Sequence, residues 1–260
     1  MKIKDLIIGM LVALLLSSCS SEFKLANRFV SQSPEIQVAV YFPETADINF
    51  VVNDQGDYLR VLDSIDQDRF LDIMYAAYAE ELSAYRLNVY VPEDPDHIQV
   101  DSLHWLVILS KVELQGLYTD YVDHLFDFLD EYDYDFTLNT VNVASWFDVN
   151  EGEWQPTLFD EFNLRDDFKS WVTVDRKNGT QYHYEITPMK ADDVYDYAVF
   201  LGKRYASFTY DYMMNRYVAL GMGAKSKYPR FKLRWNPHEK AYYFQSEEEG
   251  FIELKVESEE

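Results

Sequence analysis

Asp130-Glu131-Tyr132-Asp133-Tyr134-Asp135-Phe136, DEYDYDF, alternates acids with aromatic rings. Read as a strand, it turns Tyr132, Tyr134 and Phe136 to one face and Asp133 and Asp135 to the other, because successive side chains of an extended chain point to opposite sides. Leu138 continues the apolar side. The residues that lead into it, TDYVDHLFDFLDEY (119–132), predict a helix instead, with Val122, Leu125, Phe128 or Leu129, and Tyr132 as its apolar stripe. Asp120, His124 and Asp127 then share the opposite helical face. Whether this region is helix followed by strand, or extended throughout, decides how the two halves of the chain join.

The same stretch is where chemistry would be sought. Carboxylates and an imidazole at helical spacing can converge on one metal ion, but Asp120, His124 and Asp127 are three ligands without a fourth or a motif, and a solvated acidic face is the preferred reading. A calcium loop of the EF-hand type lacks its turn glycine and terminal glutamate. Asp133 and Asp135 lie side by side on one strand, whereas glycosidase carboxylates face each other across a cleft. No G-x-S-x-G, H-E-x-x-H or G-x-G-x-x-G is present, and Gly223-Ala224-Lys225-Ser226 lacks the glycine and the preceding strand of a phosphate loop. DEYDYDF is therefore expected to be structural, with no catalytic residues, metal or cofactor assigned.

Upstream, Ile36–Phe42 (IQVAVYF) ends at Pro43 and reads as a strand. Ser64 and Gln67 form a capping-box pattern at the start of a helix whose ridge is Phe70, Met74, Tyr78 and Leu82, flanked by Ile73 and Ala77. Leu87–Val91 predicts a short strand, Pro92–Asp96 a loop and Leu103–Leu114 a long strand. This order of elements resembles the N-terminal module of the Tol-Pal propeller protein and of curli-secretion lipoproteins, over roughly eighty residues and without a motif.

Downstream, Asn178-Gly179 predicts a tight turn between strands Trp171–Val174 and Gln181–Ile186. After Pro188, Val194, Ala198, Leu201, Tyr205, Phe208 and Tyr212 repeat at three and four, predicting a helix to about Ala219 that Gly221 and Gly223 end. Gly202 and Ala206 lie one turn apart and would let another element approach, and Asn215 on the same seam reads as a satisfied core amide. The expected class is α+β, a mixed or antiparallel sheet packed with one medium and one long helix.

The leader MKIKDLIIGMLVALLLSSC has Lys2 and Lys4, then an apolar run from Leu6 to Leu16 that is too short for a membrane span of about 20 residues. Leu16-Ser17-Ser18-Cys19 resembles the lipobox of bacterial lipoproteins, which implies cleavage before Cys19 and acylation of its sulfur, palmitate included. Cys19 is the single cysteine of the chain. Residues 1–18 are thus expected to be a signal peptide, 19–34 a lipidated tether, and 35–260 a single α+β domain, with a subdomain division near 117–150 left open. Only Glu22 among the residues just after Cys19 is acidic, and by resemblance to lipoproteins of the Bacteroidota this favours the periplasm-facing leaflet of the outer membrane over the cell surface.

Removing 18 of the 260 residues takes away two lysines and one aspartate, so a formal charge of -23 becomes -24. Such a charge repels nucleic acid and anionic headgroups. Against it, Lys225, Lys227, Arg230, Lys232 and Arg234 crowd into ten positions. A docking patch for an acidic partner or lipid phosphates is one reading. The preferred one is a meander, with strands at Arg230–Trp235, Ala241–Gln245 and Phe251–Val256, whose Glu247 to Glu249, Glu253 and Glu257 neutralise the basic face internally. The functional expectation is a membrane-attached lipoprotein serving as a non-catalytic accessory or structural subunit of an envelope assembly. A glycan-binding lipoprotein and a carboxylate-dependent hydrolase are the alternatives.

Overall fold

In the computed structural model the described residues are 21–50, 60–93, 98, 100, 101, 103–126, 131–150, 155–176, 179–223, 232–246 and 249–254, with 124–126 and 131–134 described by backbone alone. The class is α+β, as expected. A seven-stranded mixed sheet runs in the order β11-β6-β5-β4-β1-β3, with β2 also paired to β4. Its strands are β1 (Gln37–Tyr41), β2 (Asp47–Phe50), β3 (Asn88–Tyr90), β4 (His104–Phe126), β5 (Glu131–Asn150), β6 (Thr157–Arg165) and β11 (Ile252–Leu254). β1 is parallel to β3 and β4, whereas β4, β5, β6 and β11 pair antiparallel in succession. Two separate hairpins are β7 (Asp167–Asp175) with β8 (Gly179–Thr187), and β9 (Leu233–Asn236) with β10 (Ala241–Phe244).

The opening question resolves as extended chain. β4 continues through residues 119–126 and β5 returns from Glu131, with Tyr121 opposite Phe136 and Asp120 opposite Thr137. The helix expected over 119–132 is not formed, and Asp130 lies outside the described residues. The reason is tertiary: Phe136 packs on Phe168 of β7 at 4.7 Å and on Tyr184 of β8 at 4.7 Å, and Tyr121 meets Phe168 at 5.5 Å. Cross-strand aromatic contacts of this kind override a local helical period. Asp135 is exposed, so the wet acidic face is present where it is described. On a strand, positions 120 and 124 stand roughly 13 Å apart, which removes the helical convergence the metal reading needed.

The register of β4 shifts once, between Leu109 and Lys111. Trp105, Val107 and Leu109 are buried before the shift, Val112 and Leu114 after it. The extra residue switches the inward parity from odd to even, which is the geometric effect of a bulge. On β5 the inward positions Val141, Val143, Phe147 and Val149 are all fully buried.

Against this face lie α2 (Gln67–Ala84) and α3 (Ala191–Gly221). The expected ridge Phe70, Met74, Tyr78 and Leu82 is buried, although the cap is Asp66, which accepts from the Arg69 N–H at 3.0 Å, and not Ser64, whose hydroxyl donates to the Val61 carbonyl. Gly202 is the close approach between the helices: a Cβ there would fall on the Met74 carbonyl and lie 2.9 Å from Ala77 Cβ. Buried tyrosines knit the layers, Tyr78 donating to Thr209 and Tyr205 to Ser145, each at 2.9 Å.

Residues 21–32 are helical and form α1, so the described part of the expected tether at 19–34 is a packed element. Ala26 and Phe29 are 0% and 1% exposed, and Ser33 hydrogen-bonds with Tyr210 at 2.9 Å. Phe23, Ala26 and Phe29 recur at three-residue spacing, a short apolar stripe that suffices once α3 supplies the other half of the contact. The expected three-stranded meander is also corrected: β9 pairs with β10, but β11 leaves them for the edge of the main sheet at β6. The buried core runs from Ala26 to Phe251 as one cluster. No helix among the described residues is long and apolar enough to cross a membrane.

Candidate functional site

The principal hollow in the described structure is a cleft of about 360 Å³ between α3, the end of α2 and the β9–β10 hairpin. It exists because Asp211 and Asn215, one turn apart on α3, act as surrogate strand neighbours for β9. Asn215 Oδ1 accepts the Leu233 N–H at 2.8 Å and its Nδ2 donates to the Leu233 carbonyl at 2.6 Å. Asp211 Oδ1 accepts the Trp235 N–H at 3.0 Å. The core amide foreseen at Asn215 is thus satisfied, and it does the work of a sheet ladder. Beyond these clamps the hairpin turn at Asn236–Pro237–His238 overhangs the helix, with Asn236 Oδ1 accepting the N–H groups of His238 and Glu239.

One face of α3, at the spacing of successive turns, supplies Phe200, Lys203, Arg204, Ser207 and Phe208 to the cleft. Arg204 is held on two sides. Its Nε and Nη2 donate to the Asp160 carboxylate at 3.0 and 3.2 Å, and its guanidinium lies 4.4 Å from the Phe208 ring centroid and 4.8 Å from that of Phe162. Nη1 is outside that fork. Burial raises the Asp160 carboxyl above its usual range, with Arg204 opposing the shift. A planar cation fixed by a fork and two rings presents its remaining N–H groups in set directions.

The hairpin contributes Arg234, Trp235, Asn236 and His238, and the opposite rim contributes Glu81, Tyr85 and Glu249. Arg234 Nε stands 3.7 Å from Asp211 Oδ2 and His238 Nε2 3.8 Å from Glu81 Oε1. Asp211 is 1% exposed, and its burial pushes the carboxyl well above the ordinary aspartate range, against the Trp235 N–H and Arg234, which favour the charged form. Phe200 is 46% exposed and stacks on Tyr197 with ring planes 10° apart. Trp235 is partly buried against Tyr242 at 4.7 Å. The lining therefore combines fixed donors, carboxylate acceptors and aromatic faces, with Arg204 paired to Asp160 and with Lys203 and Arg234 set against Glu81 and Glu249.

The five-residue basic cluster divides. Lys225, Lys227 and Arg230 lie outside the described residues, Lys232 precedes β9, and Arg234 enters the cleft beside Asp211. Its carboxylate partner thus comes from α3, 23 positions earlier, and not from the acidic loops of the meander. Glu253 sits on β11, which pairs with β6, and Glu247, Glu248 and Glu257 lie outside the described residues. Cys19 and Asp127 lie outside the described residues, as does the His124 side chain. Asp120 accepts from Thr137 Oγ1 at 3.1 Å. Among the described residues no group of three or more His, Cys, Asp or Glu is arranged to hold a metal ion. Sequence reasoning missed Phe200, Lys203, Arg204 and His238. Their i, i+3, i+4 spacing on α3 was visible, but a wet polar stripe on a long helix becomes a site only when a hairpin closes over it.

A second hollow of about 220 Å³ lies beside Phe42, Tyr75, Asp68 and Asp72 and has no cation in its lining.

No family model matches this chain, and no curated protein matches it. Among solved structures, one described as a neuraminyllactose-binding hemagglutinin homolog from Helicobacter pylori aligns with 74% of this chain and 91% of its own, at 10% identity and a TM-score of 0.38.

Proposed function

We propose that the chain is a lipid-anchored envelope lipoprotein, attached to the outer membrane through Cys19, that works as a non-catalytic binding subunit and presents the α3–β9 cleft to a saccharide. The observation that carries the binding half is the cleft itself: partly exposed faces of Phe200 and Trp235 beside fixed donors and acceptors, in a volume of about 360 Å³. Aromatic faces receive the C–H surface of a sugar ring, while Arg204, Lys203, Glu81 and Asn236 match the alternating hydroxyl donors and acceptors around its edge. With Arg204 already paired to Asp160, Lys203 and Arg234 face Glu81 and Glu249, and this balance favours a neutral ring over a strongly acidic one.

Binding is favoured over hydrolysis by what the buried acids are doing. Asp160 holds Arg204, and Asp211 holds the Trp235 backbone. Both buried carboxyls beside the cleft are occupied in building it. The anchor half rests on the lipobox-like Leu16-Ser17-Ser18-Cys19. Cys19→Ala should leave an uncleaved precursor that no longer incorporates labelled palmitate, and equal labelling of wild type and variant would refute the anchor.

Trp235 is a built-in reporter for the cleft. Titrating the protein with neutral disaccharides of hexoses and N-acetylhexosamines should change its fluorescence saturably. Phe200→Ala, at a half-exposed position, should weaken that binding by at least about fivefold, the equivalent of ~1 kcal/mol of stacking, with little change in melting temperature. No saturable response to any of them, or equal affinity of the variant, would overturn the saccharide reading.

A further inference from the structure

A lipid on Cys19 would fix the orientation of the whole molecule. Ser21 follows Cys19 by two residues, and the chain from Ser21 is helix packed on α3. The acylated sulfur therefore lies within about 7 Å of chain from the first described residue of α1. α1 and α3 run antiparallel. Leu25 packs on Gly221, where an added Cβ would meet its Cδ2 at 2.9 Å, Phe29 meets Tyr217 at 5.5 Å, and Ser33 meets Tyr210 at 2.9 Å. The anchored end of the molecule is consequently the end at which α3 stops.

Among the described residues, that end exposes three large apolar side chains. Leu220 is 58% exposed, Met222 39% and Phe244 64%. They flank the first turns of α1: Leu25 covers Gly221 on one side, and Phe23 reaches Tyr242 at 5.6 Å and Phe244 at 6.3 Å on the other. We propose that this end rests on the bilayer, with Leu220, Met222 and Phe244 in the boundary between headgroups and acyl chains, beside the lipid carried by Cys19. The proposal rests on the lipoprotein reading. An anchor two residues from a docked helix leaves no slack for the domain to stand away, so apolar side chains at that end are brought to the membrane and gain by entering it. Arg204 lies 17 residues before Gly221 on α3, which lifts the cleft about 25 Å along the helix axis from the membrane end.

The acylated full chain can test this, because Cys19, once acylated, leaves no free thiol. Met222→Cys, and separately Val174→Cys at an 80% exposed position on β7, are labelled with an environment-sensitive fluorophore and reconstituted into phosphatidylethanolamine vesicles containing brominated lipid. The label at 222 should shift to the blue and lose intensity to the brominated lipid, while the label at 174 should do neither. Protein that floats with the vesicles and carries palmitate, yet shows no shift or quenching at 222, or equal quenching at both positions, overturns the membrane-facing end and leaves the anchor intact. Protein that neither floats nor carries palmitate overturns the anchor, and the orientation falls with it.

Discussion

Asp211 shows how one buried carboxylate can be structural and costly together. It is indispensable to the seating of β9, yet its second oxygen, Oδ2, is buried with no hydrogen-bond partner. Its carboxyl is raised by burial, so the native state holds its proton to higher pH than the unfolded chain, whose aspartates titrate near pH 4. Stability linked to this group is therefore greatest below about pH 4, falls as pH climbs toward the raised folded value, and is at its lowest above that value. Asp211→Asn keeps an oxygen for the Trp235 N–H and removes the ionisation. The difference in urea midpoint, variant minus wild type, should grow as pH is raised from about 4, and a difference constant across pH would refute this account. Arg234, Tyr85 and Tyr210 lie near the group and are unchanged by the substitution, so the comparison isolates Asp211.

At the scale of elements, α1 carries the largest departure from expectation. A segment of serines, charges and scattered apolar residues read as a spacer, yet its Phe29 fills the core between Tyr210 and Tyr217 at 5.4 and 5.5 Å. Phe29→Ala should cost about 3–5 kcal/mol, the usual loss for a buried phenylalanine, measured by urea unfolding of the chain lacking residues 1–18. A loss below about 0.5 kcal/mol would mean that α1 is a spacer after all. The β9–β10 hairpin is the converse case, a two-stranded piece too small to stand alone. Asn215 and Asp211 fasten it, so the cleft depends on two side chains of a helix.

For the whole molecule, the dominant quantity is charge. The chain carries 46 acids against 23 basic residues, and several of the cations are engaged in pairs such as Arg204 with Asp160 and Lys111 with Glu113. Self-repulsion of the remaining acids works against the compact state. Raising ionic strength from about 0.01 M to 0.15 M shortens the screening length from ~30 Å to ~8 Å. The melting temperature of the soluble mature chain should therefore rise with sodium chloride over that range. A fall would indicate that favourable ion pairs, and not repulsion, dominate the surface.

The sequence by itself determined the elements whose signals are local. The ridge of α2 and the seam of α3 follow from period, and each is formed; β7 and β8 pair as expected, with Gly179 at φ 75°, while Asn178 of the expected turn lies outside the described residues. The alternation of DEYDYDF is described at its last two residues, where Asp135 is exposed and Phe136 packs on Phe168, as residue-by-residue inversion of faces in an extended chain requires. Only the tertiary structure decided that 119–126 is strand, since the helical stripe and the strand pattern coexist there and the aromatic cover from Phe168 and Tyr184 selects between them. The same holds for α1, whose short stripe needs α3 beneath it, and for β11, which finds its partner in β6 across the fold. The cleft was legible only in pieces: Arg234 stood out as a charge, whereas Phe200, Lys203, Arg204 and His238 gained meaning from a hairpin held over a helix by two side chains. Contacts between residues far apart in the chain have no period, and packing alone brings them together.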